Sequence, residues 1–139
     1  MMYLAWHRKH KLNISGDGGT REVIDNPSRE NVIEAIQGLD NRYRTEVSIG
    51  IRDHEEGPIT ISGGERNRVR VNYFDKSNRW QQVIDPAYPN KSEEIELWIN
   101  YDLDDVLIYQ TLLKEKALEI ALYYLEHQTL PNNLAWNTV

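Results

Sequence analysis

Met2, Leu4 and Trp6 alternate with Tyr3, Ala5 and His7, a two-residue period that predicts a half-buried strand. Ser15-Gly16-Asp17-Gly18-Gly19 then supplies a turn, after which Thr20 to Ile24 can return as a second short strand. The same alternation recurs downstream as a meander. Thr45, Val47, Ile49 and Ile51 alternate with Glu46, Ser48 and Gly50; Ile59 and Ile61 with Thr60 and Ser62; Val69, Val71 and Tyr73 with Arg70 and Asn72. Turn clusters at residues 54–58, 63–64 and 75–78 divide these runs. Trp80 to Ile84 forms a further strand, and Ile95, Leu97, Ile99 and Tyr101 line one face of another, with Glu94, Glu96, Trp98 and Asn100 opposite. Clean alternation of this kind indicates an antiparallel sheet with one buried face.

Two segments change period. After Asn26-Pro27, a capping side chain followed by proline at the first helical position, Val32, Ile33, Ala35, Ile36 and Leu39 fall on one helical stripe that Gly38 and Asp40-Asn41 end. A longer helix, capped by Thr111, carries Leu113, Ala117, Ile120, Ala121, Tyr124 and Leu125 and stops before Pro131. Between them, Asp102 to Asp105 reads as an acidic turn, Val106 to Tyr109 as an untyped apolar piece, and Leu134-Ala135-Trp136 as a final strand. The order predicts an α+β fold over a single domain spanning 1–139: an antiparallel β-sheet of about five to seven strands with two α-helices packed on one face.

Composition narrows the function. The 16 basic and 22 acidic side chains give a net charge of −6, which disfavours direct binding of nucleic acid or an anionic membrane. Residues 1–52 carry +1 and residues 53–139 carry −7, with the excess clustered at Asp53/Glu55/Glu56, Glu93/Glu94/Glu96 and Asp102/Asp104/Asp105. Such clusters are either solvated turns and faces or an acidic patch for a basic partner. The absence of cysteine removes disulfides, thiol nucleophiles and zinc–thiolate sites. Met1 to Trp6 is too short for a signal sequence and its charges follow rather than precede it, so a cytoplasmic location is expected.

No motif organises catalysis. His7, His10, His54 and His127 fall in no ligand spacing, no Gly-x-Ser-x-Gly elbow occurs, and the Gly-Asp-Gly-Gly run lacks the Gly-Lys-Ser/Thr ending of a phosphate loop. No catalytic residue, metal or cofactor is therefore expected. The alternative is a small α+β enzyme or ligand-binding domain using the carboxylates near residues 53–56 and 102–105. The strand faces mix signs at Arg44, Glu46, Arg52, Arg68, Arg70, Glu94 and Glu96, which suits cross-strand ion pairs better than a nucleic-acid platform. Trp6 and Trp136 are expected in the core. Trp98 lies among charges and Trp80 follows a turn, positions suited to interface anchors. The candidate partner-binding set is thus Glu55, Glu56, Trp80, Trp98, Asp102, Asp104 and Asp105.

Two stretches carry a resemblance. One is Ile59-Thr60-Ile61-Ser62-Gly63-Gly64-Glu65, leading through Val69-Arg70-Val71-Asn72-Tyr73-Phe74 to Trp80; the other is Ala121 to Pro131, Ala-Leu-Tyr-Tyr-Leu-Glu-His-Gln-Thr-Leu-Pro, closing on Leu134-Ala135-Trp136. With the helix after Asn26-Pro27, they resemble immunity protein family one of bacterial polymorphic toxin systems, over roughly residues 20–137. Members often carry glycine just after the last helix; Gln128 stands there, so this helix is expected to end differently or run slightly longer. The resemblance implies a non-enzymatic inhibitor that binds a cognate toxin domain, commonly a nucleic-acid deaminase or nuclease. An acidic protein can occupy such a toxin's basic cleft by charge complementarity. The motif residues act as fold determinants, so the resemblance itself designates no binding residue.

Overall fold

The computed structural model describes residues 1–8, 20–99 and 102–138. The turn expected over Ser15–Gly19, His10, and the pair Asn100 and Tyr101 lie outside the described residues.

The alternating runs become strands as expected: β1 (Met2–Arg8), β2 (Thr20–Asp25), β3 (Arg44–Ile51), β4 (Ile59–Gly63), β5 (Arg68–Phe74) and β6 (Trp80–Ile84). The chain continues through β7 (Glu94–Ile99), β8 (Asp102–Leu107), the two-residue β9 (Leu112–Leu113) and β10 (Ala135–Thr138). Helices α1 (Arg29–Gln37) and α2 (Lys114–His127) complete an α+β fold.

The main sheet is antiparallel and has eight strands, in the order β10-β6-β5-β4-β3-β1-β2 with β9 beside the start of β5. This exceeds the five to seven expected, and its membership also differs. Leu112–Leu113, expected inside the helix, pairs with Arg68 and Val69. Thr111 does not cap α2; it closes a short turn at residues 108–110, its buried hydroxyl donating to the Ile108 carbonyl at 2.7 Å, and α2 begins after Leu113. Conversely, the Ile95–Ile99 run lies outside the main sheet and, among the described residues, pairs with β8, which the acidic residues expected as a turn in fact build.

One face of the main sheet and both helices share a core. Leu4, Val47, Ile49, Ile59, Ile61, Val69, Val71 and Val83 meet Val32, Ile36 and Leu39 from α1 and its end, and Ala117, Ile120, Ala121 and Tyr124 from α2. Each fully buried aliphatic side chain contributes about 1.5–3 kcal/mol relative to exposure. Burial, with Glu56 and Tyr3 nearby, pushes the Tyr124 hydroxyl up to about 12, so it stays neutral in the core. Lys114 ties the helices together. Its Nζ donates to the Gln37 and Leu39 carbonyls at 3.2 and 2.6 Å, satisfying the end of α1 that no intrahelical donor can reach. Burial lowers its pKa, partly offset by Asp40 and Glu115.

Several ends are set by left-handed residues. Asn26 (φ 52°) turns the chain out of β2, so the N-cap falls on Ser28, whose hydroxyl accepts from the Asn31 N–H while Asn31 Oδ1 accepts from the Ser28 N–H. Asn26-Pro27 marks the entry rather than the cap itself. Asn41, Asp53, Arg66, Asn67, Asn78 and Gln128 also have positive φ. Gln128 (φ 58°, ψ 20°) occupies the left-handed C-cap itself and donates its N–H to the Tyr124 carbonyl at 2.8 Å, so α2 stops where a glycine would stop it.

The opposite face of the sheet is polar. Ser48, Thr60, Ser62, Arg70, Asn72 and Gln82 occupy it, with Ser62 and Gln82 buried. Glu46 in the same register row as Ser62 and Arg70 has its pKa raised by burial, opposed by the Ser62 hydroxyl and by Arg21. Burial likewise lowers the Arg70 pKa, opposed by Asp104 of β8, so the β7–β8 ribbon brings negative charge to this face.

Candidate functional site

The ribbon is positioned by a side chain that sequence reading treated only as a helix stop. Asp40 Oδ1 accepts from the N–H groups of Arg42, Tyr43 and Arg44, each at 2.9 Å, winding residues 40–44 into a tight turn. Asn41, left-handed (φ 59°) and only 6% exposed, is thereby aimed at β7. Its Nδ2 donates to the Glu96 carbonyl at 3.1 Å and its Oδ1 accepts the Trp98 N–H at 2.8 Å. One amide thus pairs with β7 as a neighbouring strand would. Leu97 also packs so closely on Gly63 (φ 111°) that a Cβ there would lie 2.9 Å from Leu97 Cδ2. Ile95, Leu97, Ile99, Val106 and Ile108, with Tyr88 against them, form a second small core under the ribbon.

Cross-strand register sorts the acidic residues. Trp98 lies opposite Leu103 and Glu96 opposite Asp105, so these four share the outer face with Glu94. Asp104 pairs with Leu97 and Asp102 with Ile99, which turns both toward the inner face, where Asp104 acts on Arg70. On the outer face, half-buried Trp98 and Leu103, 47% exposed, form the row next to the Glu96–Asp105 carboxylates, with Glu94 beyond these. Together with Asn41, Glu65 and Arg66 they line an open cleft of about 450 Å³.

The other candidates lie elsewhere. Asn41 precedes β3 while Asp53 to Glu56 follow it, so Glu55 and Glu56 are about 25 Å from the ribbon's anchor at the other end of that strand. There Glu56 accepts a hydrogen bond from the Tyr73 hydroxyl, and Gly57 packs on Phe74. Phe74 in turn stacks with Trp80 at 5.1 Å, leaving Trp80 42% exposed. The candidate set therefore divides into a Glu56–Phe74–Trp80 end and a Trp98–Leu103–Asp105 face. Asp53 and Glu56 line one cleft and Asp105 another, so the carboxylates of 53–56 and 102–105 do not converge on one. Among the described residues, no three of His, Asp and Glu gather closely enough to hold a metal ion. Trp6 packs against the main core as expected, whereas Trp136 sits at its margin: on edge strand β10, opposite Val83, it meets Tyr73 at 6.2 Å and stays 37% exposed.

Neither a family model nor a curated protein matches this chain. The whole arrangement is nevertheless similar to a crystal structure of a hypothetical protein from Neisseria gonorrhoeae, with a TM-score of 0.59 and 10% identity over 96% of this chain and 92% of that one. At that identity the likeness shows a shared fold. Among the described residues, no helix is long and apolar enough to cross a membrane.

Proposed function

We propose that this chain is an immunity protein, which binds and neutralises a cognate bacterial toxin domain by occupying its active site or substrate cleft. The toxin is a nucleic-acid deaminase or nuclease, whose cleft must be basic to hold a phosphate backbone. The inhibitor works in the cytoplasm as a binding protein, without catalysis, cofactor or metal, and without touching nucleic acid or membrane itself.

The observation that carries this reading is the outer face of the ribbon. Two cross-strand rows lie side by side there, the carboxylates of Glu96 and Asp105 (with Glu94 beyond them) and the aromatic–aliphatic pair Trp98 and Leu103, on a strand pair anchored through Asn41. The carboxylates accelerate encounter with a basic partner, while the adjacent tryptophan and leucine supply contact area once water is expelled. The resemblance of the β4–β5 hairpin and the end of α2 to immunity protein family one points the same way.

Co-expression with the toxin domain encoded beside this chain tests it: growth should be restored, and continued killing despite soluble expression overturns the proposal. Within such a complex, Glu96→Lys with Asp105→Lys should slow association about tenfold or more at low salt and lose that effect at high salt. Trp98→Ala should instead speed dissociation.

A further inference from the structure

Among the described residues the main sheet ends at β2 and at β10, and β8 also has an outer edge without a strand partner. Open edges are templates for pairing, and proteins ordinarily block them with like charge, bulges or brevity. β8 is blocked by Asp102, Asp104 and Asp105, which would face one another if two such edges met. β10 is only four residues long. β2 has six residues, no proline, and charges of both signs.

The backbone shows what β2 offers. The Asn26 N–H donates to the Met2 carbonyl at 2.9 Å, so in the β1–β2 register the pairs Asn26–Met2, Ile24–Leu4 and Glu22–Trp6 are the hydrogen-bonded ones. The N–H and C=O groups of Arg21, Val23 and Asp25 therefore turn outward. Val23 is 41% exposed, and Arg21 and Asp25 are exposed on the same face two residues to either side of it. Asp25 is held toward solvent by Arg52 at 2.8 Å, a pair roughly half exposed on both sides.

We propose that β2 is a self-association edge, whose occupant is β2 of a second copy of this chain, antiparallel about a two-fold axis through Val23. That register places Val23 against Val23 and Arg21 against Asp25 of the other copy, twice. All three outward-facing residues exchange backbone hydrogen bonds, and the exposed valines cover one another. Opposite charges directly across an antiparallel ladder stabilise it, and the same ladder shifted by one residue would set Arg21 against Ile24. The two-fold makes the contact closed, so it ends at a dimer rather than a filament.

Sedimentation equilibrium from roughly 1 to 300 µM tests the dimer, with circular dichroism reporting the fold of each variant. The unmodified chain should pass from monomer to dimer across that range. Val23→Pro removes only an outward-facing N–H and should abolish the dimer while leaving the fold unchanged. Arg21→Asp alone sets carboxylate against carboxylate and should weaken association roughly tenfold. Combining Arg21→Asp with Asp25→Arg should restore it. A chain that stays monomeric throughout, a folded Val23→Pro variant that dimerises normally, or a folded double variant as weak as Arg21→Asp would each overturn the proposal.

Discussion

The eight-stranded sheet and the β7–β8 ribbon are both antiparallel, yet opposite terms hold them. The sheet is built from strands of alternating Val and Ile whose apolar faces meet two helices, so burial alone specifies its register. The ribbon has four buried aliphatic residues, joined by Ile108 just beyond it, and pairs a favourable strand, Ile95 to Ile99, with one that begins Asp102-Leu103-Asp104-Asp105. Aspartate is disfavoured in strands, and a two-stranded ribbon is marginal in isolation. Its order comes from packing on Gly63 and from the Asn41 amide. A strand can thus exist where its own sequence argues against it, provided a neighbouring element supplies the ladder.

The sharpest way to break the contrast is to damage each core in turn. Ile61→Ala, in the middle of the sheet, should cost about 2–5 kcal/mol and lower the single unfolding transition seen by circular dichroism. Asn41→Ala should cost about 1–3 kcal/mol through the two unpaired backbone groups it leaves on β7. Hydrogen exchange should then rise in residues 94–99 and 102–107 while β3 to β5 stay protected; equal loss of protection in the main sheet would mean the ribbon is no separate unit. Gln128→Gly should stabilise the chain by about 1 kcal/mol, because glycine adopts the left-handed C-cap without a Cβ penalty. An unchanged melting temperature would show that the cap carries no strain.

The smallest effect concerns the polar face that separates the two regions. Because Glu46 has a raised pKa in the folded state, the unfolded chain releases its proton more readily. Stability from this group is full below its ordinary value of 4.5 and falls as pH rises through the raised one. Glu46→Gln should therefore melt higher than the parent at pH 7 and equal it at pH 4. A gain that persists at acid pH would assign the effect to packing instead.

The same contrast explains what the sequence made legible. Strands β1 to β6 and both helical stripes follow from hydrophobic period, since each buries one face against a continuous core. β8 did not, because its aspartates look like a turn until the partner strand is in place. β9 was hidden for a similar reason: Leu112–Leu113 fits a helical stripe as well as a strand, and only its pairing with Arg68 and Val69 decides. For the candidate site, Trp98 and the acidic residues were visible as an aromatic among charges. Their division into two faces depends on the cross-strand register, and the separation of Glu55, Glu56 and Trp80 from them depends on which end of β3 each loop occupies. Asn41 carried a signal in the Asp40-Asn41 doublet, a pair suited to a side-chain-closed turn followed by a left-handed residue.

Those left-handed residues have a consequence for which substitutions the chain tolerates. Asn26, Asn41, Asp53, Asn67 and Asn78 each sit where the backbone curls against its natural hand, and each is a type that tolerates the curl. Asparagine, aspartate or glycine is favoured there by geometry, although Arg66 and Gln128 show that other residues can be held in the same conformation. Strand residues, by contrast, can be exchanged among valine, isoleucine and leucine without trace. The corners of the chain, Asn41 and its fellows, therefore tolerate fewer replacements than the strand faces between them.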